Sequence, residues 1–174
     1  MAICVAFSAC TNDIETVSQL TGTSSLPTLI VKDVETLYSD SAIVKLRIEA
    51  PEFKRYETKD EPYDEYPQGV YVEFYNTNSR VVGSLSAEYA KFYVNRELWE
   101  ASKNVEAKNH EKNEQLNTEI LFWDLQREEI YSESFVRITT DDEVLYGDGF
   151  KAKQDLSAWK ILKPKGTLYI YDEE

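Results

Sequence analysis

Cysteine is nearly missing from this chain: Cys4 and Cys10 are the whole supply, and both precede Thr11. Everything after them lacks a thiol for a disulfide or a thiolate metal site. Histidine is scarcer still. His110 stands alone in Asn109-His110-Glu111-Lys112-Asn113, which reads as a hairpin tip. A catalytic imidazole wants a cleft and an orienting partner, so His110 is taken as an exposed loop residue. Positive charge is short as well, with 19 Lys and Arg against 32 Asp and Glu and a net charge of −13. Binding to a phosphate backbone needs clustered cations, which argues against nucleic acid as a partner. The same deficit argues against an anchor that relies on anionic lipid head groups. The catalytic signatures Gly-x-Ser-x-Gly and His-Glu-x-x-His do not occur, nor does a Cys-His pairing. Asp141-Asp142-Glu143 lacks the spaced oxygen ligands of a calcium loop and reads as a turn. Gly147-Asp148-Gly149 opens no helix and is not followed by the Lys-Ser/Thr of a phosphate cradle. No catalytic residue, metal site or cofactor is expected. A glycan-active enzyme using paired carboxylates is open only because acids are numerous; nothing in the sequence pairs two of them.

Aromatic residues are what the chain has in plenty: twelve Tyr, seven Phe and three Trp, against six Gly and five Pro. That load is too large for a disordered chain and implies a substantial surface to cover. The 174 residues suffice for one folded domain with a sizeable core.

From Gly83 to Ile161 the sequence repeats itself. Leu85, Ala87, Ala90, Phe92, Trp99, Ala101 and Val105, moved forward by 31, become Leu116, Thr118, Leu121, Trp123, Ile130, Ser132 and Val136. A second step keeps less, taking Leu121 to Ala152 and Ile130 to Ile161 but Trp123 to Gln154. Such a period is what stacked supersecondary units give. Within a unit the apolar spacing is mostly two, the pleat period of a strand. Two strands of about ten residues and two turns fill one period, so each unit is a β-hairpin laid on the one before. Leu85 and Ala87 share one parity and Ala90 and Phe92 the other, and the same slip separates Thr118 from Leu121. An extra residue at the same place in both copies reads as a bulge that bends the strand. The expected fold is all-β: an open, twisted and rolled β-jellyroll of stacked antiparallel hairpins with an apolar inside.

In chain order, Met1 to Cys10 is apolar and ends Phe7-Ser8-Ala9-Cys10, which resembles a truncated lipoprotein signal with Cys10 as the lipidated residue. The run is too short to span a bilayer, and it lacks the positive n-region of a secretory signal. Residues 11–27, polar and rich in Ser and Thr, read as a tether. The β-domain is expected over 28–171 and an acidic tail over 172–174. Asp60 to Pro67 reads as a loop on composition, Pro51 as an edge or bend, and Val70, Val72 and Phe74 as one face of a strand. Charge is uneven. Glu57 to Glu65 is acidic, whereas Gly149 to Tyr171 holds Lys151, Lys153, Lys160, Lys163 and Lys165 against Asp155 alone. Both are taken as solvated surface.

A rolled sheet of hairpins leaves a trough between its faces, and an apolar trough suits acyl chains. Leu85, Ala90, Phe92, Trp99, Leu121, Trp123, Phe150 and Trp159 are the expected lipid-binding lining. Thr167, Leu168, Tyr169, Ile170 and Tyr171 form the expected last strand. Carrying no Pro and no charge, it would leave an open edge for partner docking.

The unit Gly83-Ser84-Leu85-Ser86-Ala87-x-x-Ala90-x-Phe92, with Trp99-x-Ala101-x-x-Asn104-Val105, resembles the repeat of the OstA-like proteins. Gly147-Asp148-Gly149-Phe150-x-Ala152-x-x-Asp155-Leu156-x-x-Trp159-x-Ile161 resembles the C-terminal signature of their LptC branch. The resemblance covers about Val34 to Ile170 and implies a periplasmic β-jellyroll, open along one side. It further implies a non-enzymatic part in lipopolysaccharide export: lipopolysaccharide is taken from an inner-membrane ABC transporter and passed to a like-folded bridge protein. Members are usually held by one N-terminal transmembrane helix; this chain departs there, and a lipid on Cys10 is the expected anchor, most simply in the inner membrane. The alternative is a structural or adhesive cell-envelope lipoprotein whose β-sandwich core is closed and dry.

Overall fold

The structure, a computed structural model, describes residues 26–154 and 158–166. Cys10 and the segment Thr167 to Tyr171 lie outside the described residues. The strands are β1 (Leu29–Asp40), β2 (Ile43–Tyr56), β3 (Tyr63–Tyr66), β4 (Val70–Tyr75), β5 (Val81–Ala87) and β6 (Tyr89–Tyr93). They continue with β7 (Leu98–Asn109), β8 (Glu114–Asp124), β9 (Glu129–Thr139), β10 (Val144–Lys153), β11 (Trp159–Ile161) and β12 (Pro164–Lys165). Among the described residues there is no helix. All the pairings are antiparallel, in one sheet.

The path of the sheet explains the repeat. The long strands change neighbours halfway along. β2 pairs with β4 through Leu46 to Glu49 but with β3 through Lys54 to Tyr56. β7 pairs with β6 through Leu98 to Ser102 but with β5 through Glu106 to Asn109. β3 and β4 are thus one bent strand interrupted at Pro67-Gln68-Gly69, and β5 and β6 are another, interrupted at Glu88. Every long strand runs first through one half of the sheet and then, past a bend, through the other. The chain is a meander of bent strands, in which β4, β5 and β12 belong to the first half-sheet and β3, β6 and β11 to the second.

The bends fall where the sequence shows its parity slip. Register shifts lie between Thr118 and Phe122 in β8, between Ser102 and Val105 in β7, and between Asp148 and Phe150 in β10. Lys103 and Asn104 take positive φ at 64° and 51°, and Gly149 at 109°. Left-handed residues between extended ones are how a bulge turns a strand; Asn104 and Gly149 are types that adopt that conformation readily, and Lys103 takes it beside Asn104. At the crease the ladder is broken, and side chains serve the freed groups. The Thr118 hydroxyl donates to the Phe135 carbonyl at 2.9 Å and lies 3.3 Å from the Ser132 hydroxyl, both residues being buried.

Two expectations are corrected. Asp60 to Pro67 is not all loop, because Tyr63–Tyr66 is a strand. Composition hid it: Asp64 is buried, held by Arg55 through Nε–Oδ1 at 2.7 Å and Nη2–Oδ2 at 2.8 Å, while Tyr66 packs into the core. A bidentate ion pair lets a carboxylate occupy an inward position that composition assigns to solvent. The step of 31 also fails in the last unit. Trp99 pairs with Trp123 and Trp123 with Ile130, but the next partners are Ala152 and Trp159 rather than Gln154 and Ile161. The last unit is shorter because its hairpin turns back sooner: Ala107 and its partner Leu116 lie further apart in sequence than Ile138 and its partner Leu145, whereas Trp99 to Ala107 and Ile130 to Ile138 span the bend equally.

Candidate functional site

Each half-sheet turns alternate side chains inward. In the first, Ile48, Val72, Leu85, Ala107, Leu116, Ile138 and Leu145 are consecutive cross-strand partners. In the second, the row nearest the hairpin tips runs Arg55, Asp64, Phe92, Trp99, Trp123, Ile130, Ala152 and Trp159. One row deeper, toward the crease, Tyr66 pairs with Ala90, Ala90 with Ala101, and Ala101 with Leu121. These alternating positions face each other because the pleat sends every second side chain to the same side.

The expected lining residues fall into this frame. Phe92, Trp99, Trp123 and Trp159 share the outer row; Ala90 and Leu121 occupy the deeper one; Phe150 is buried beside them, and Leu85 faces them from the first half-sheet. Ala90, Leu121 and Phe150 belong to the buried core, with Leu85, Trp99, Trp123 and Trp159 packed against it. Phe92 lies at the lip, its ring centroid 4.9 Å from that of Trp99. The sequence does not point to Tyr66 and Phe53, whose rings meet edge to face at 5.5 Å, because the composition around Tyr66 reads as a loop. The spacing of Asp64 and Tyr66, paired with Arg55 upstream, was the signal available. Burial pushes the Tyr66 phenol well above its ordinary range, so the hydroxyl stays neutral inside the roll.

Two contacts cross between the half-sheets. Phe74 meets Trp123 edge to face with centroids 6.0 Å apart, and Trp159 Nε1 donates to Glu114 Oε2 at 3.1 Å. Between them lies an apolar cavity of about 40 Å³ walled by Leu85, Leu116, Leu121, Ile138, Phe150 and Trp159 among others. Of the expected lining, Leu85, Leu121, Phe150 and Trp159 border this space, whereas Ala90, Phe92, Trp99 and Trp123 do not. Water needs polar partners to occupy a cavity, and few of these walls offer any. The inside of the roll is thus mostly apolar around this cavity, with side chains reaching across it, while the Arg55–Asp64 pair stands in the same inward row.

The signature glycines have structural tasks at this end. A Cβ on Gly147 would collide with Ile161 Cγ2 and stand 2.7 Å from the Leu162 carbonyl oxygen. Gly149 takes a left-handed φ at the bend of β10, where Leu162 Cβ is 3.1 Å from a Cβ position. Glycine at both places lets β11 and β12 lie close against β10, which carries Trp159 into the outer row.

A meander of bent strands with an apolar inside and two inward rows defines a β-jellyroll of the kind that can sheathe an apolar ligand. The chain belongs to the LptC family: the model described as "Lipopolysaccharide-assembly, LptC-related" matches residues 1–169. No curated relative matches the chain. Membership places the protein among the components of lipopolysaccharide transport, a system of the cell envelope whose LptC member is periplasmic. No helix of the described residues is long and apolar enough to cross a membrane.

Proposed function

We propose that this protein receives lipopolysaccharide from an inner-membrane ABC transporter and passes it to a like-folded bridge protein in the periplasm. The lipid would be held without covalent chemistry, its acyl chains between the two inward rows. The observation that carries this reading is the apolar cavity between the half-sheets, around which Leu85 of one faces Leu121, Phe150 and Trp159 of the other. Acyl chains would enlarge that space by displacing the cross-trough contacts of Phe74 and Trp159.

Docking would use free strand edges. Among the described residues β1 pairs only with β2, and its Leu29, Ile30, Leu37 and Tyr38 are exposed. A long edge with apolar side chains accepts another strand readily. At the other end, Thr167 to Tyr171 would offer the second edge, and Cys10 would carry the lipid anchor.

The experiment is a two-stage transfer assay with the transporter in proteoliposomes, ATP, this protein and an acceptor jellyroll. Receipt followed by handover is the expected result. Ile170→Pro, which removes one backbone donor, should leave receipt intact and stop handover. A chain that never acquires lipid under ATP would contradict the proposal. One observation favours the second reading, a structural envelope lipoprotein with a dry core. The cavity is small, about 40 Å³, and that reading predicts no lipid at either stage.

A further inference from the structure

We infer that Arg127, Lys151, Lys153 and Lys160 form a rim groove that binds the phosphate-bearing head group of a lipid whose acyl chains enter the trough. This rests on the lipid-carrying reading above. The groove, about 440 Å³, lies outside the second half-sheet at its tips and is lined, among the described residues, by those cations with Glu128 and Glu129 for carboxylates. In a chain of net charge −13 such a concentration is local and unusual.

Its charges are only partly satisfied within the described residues. Lys151 Nζ lies 3.0 Å from both carboxylate oxygens of Glu129, and Arg127 reaches Asp124 at 3.4 Å from a largely exposed position. Lys153 and Lys160 make no ion pair with a described residue. Lys151 and Lys160 are direct cross-strand partners. Like charges directly opposite each other destabilise a strand pair; Glu129, bound by Lys151 and directly opposite Lys153, offsets part of that repulsion, and Lys160 is left without a carboxylate among the described residues. Lysines supply point charges suited to phosphate, whose bonds to them are charge-assisted.

Position selects the ligand. Trp159 lines both this groove and the apolar cavity. A molecule with acyl chains against one side of Trp159 and its charged end outside would place that end among the lysines. Anionic amphiphiles carrying a phosphate monoester have this shape; a free anion would gain nothing from the adjoining cavity.

The test compares the full chain with Lys153→Glu/Lys160→Glu and Lys153→Gln/Lys160→Gln. Binding is measured to diphosphoryl lipid A and to its dephosphorylated form in neutral-detergent micelles, at two salt concentrations, with inorganic phosphate as competitor. The wild type should prefer the phosphorylated form by roughly ten-fold, the scale of one or two charge-assisted contacts. Charge reversal should abolish that preference and its salt dependence, the Gln pair should reduce it, and the dephosphorylated form should bind all three proteins alike. Equal preference in the variants would overturn the inference while leaving the lipid-carrying reading intact. Full competition by millimolar inorganic phosphate would also overturn it, by assigning the groove to free anions. Failure of the wild type to hold either lipid would remove the lipid-carrying reading, and the inference with it.

Discussion

The indole of Trp159 donates to the carboxylate of Glu114 at 3.1 Å, reaching from β11 in the second half-sheet to the start of β8 in the first. It is a tie across the trough rather than along a sheet. Phe74 and Trp123 make the second tie, without a hydrogen bond. Phe74, Glu114 and Trp159 border the cavity that lies between the two ties.

If these ties are the gate, loosening one should ease loading. Trp159→Phe keeps a ring but loses the hydrogen bond, whose net worth is about 1–2 kcal/mol at a partly exposed site. The expected outcome is a small drop in denaturant midpoint with faster uptake of a fluorescent acyl probe. Unchanged uptake kinetics in a folded variant would show that this contact does not limit entry.

The signature glycines give a stability prediction. Gly147→Ala forces Ile161 and the Leu162 backbone away from β10. Overpacking of that kind costs about 1–3 kcal/mol, and the loss should be concentrated at β11 and β12. Hydrogen exchange should accelerate there first. Uniform exchange across the chain, with no change in midpoint, would contradict the assignment.

How far the sequence reached can be read from these same residues. Parity and the repeat were enough to find the bends at Glu88 and Thr118 and the inward side of Phe92, Trp99 and Trp123, because a two-residue pleat is strictly local. Asp64 and Tyr66 were missed because their placement depends on Arg55, a partner on another strand. The lysines after Gly149 looked like solvated surface. Their grouping with Arg127 needs the hairpin tip of β8 and β9 to be brought beside β10, which no local pattern encodes. The cross-trough ties were equally invisible, since Phe74 and Trp123 lie in strands that never pair.

Alkaline pH should unfold the protein earlier than ordinary phenols would predict. Burial, with a hydrogen bond to Glu100, pushes the Tyr93 phenol from its usual 10.0 up to about 12, and burial with a Glu65 contact raises Tyr89 as well. A folded-state pKa above the unfolded one means the stabilisation is full below about pH 10 and is lost as pH climbs through 12. Denaturant midpoints should fall over that window alongside phenolate absorbance, and Tyr89→Phe/Tyr93→Phe should flatten the fall. A midpoint that holds steady to pH 12 would refute it.

The anchoring proposal has its own readout. With the natural upstream sequence in place, Cys10→Ala should release the protein from membranes into the soluble periplasmic fraction. Wild-type protein with an unacylated intact mass would reject lipidation at this residue.

The most direct measurement of lipid carriage is photocrosslinking in living cells, with a benzoylphenylalanine placed at Leu85 and, separately, at Tyr71. Leu85 faces the cavity, while Tyr71 lies on the neighbouring strand with the opposite parity and is exposed. A lipopolysaccharide adduct at Leu85 and none at Tyr71 is the predicted result. Equal labelling at both positions, or none at Leu85 in a folded protein, would contradict a lipid path through the inside of the roll.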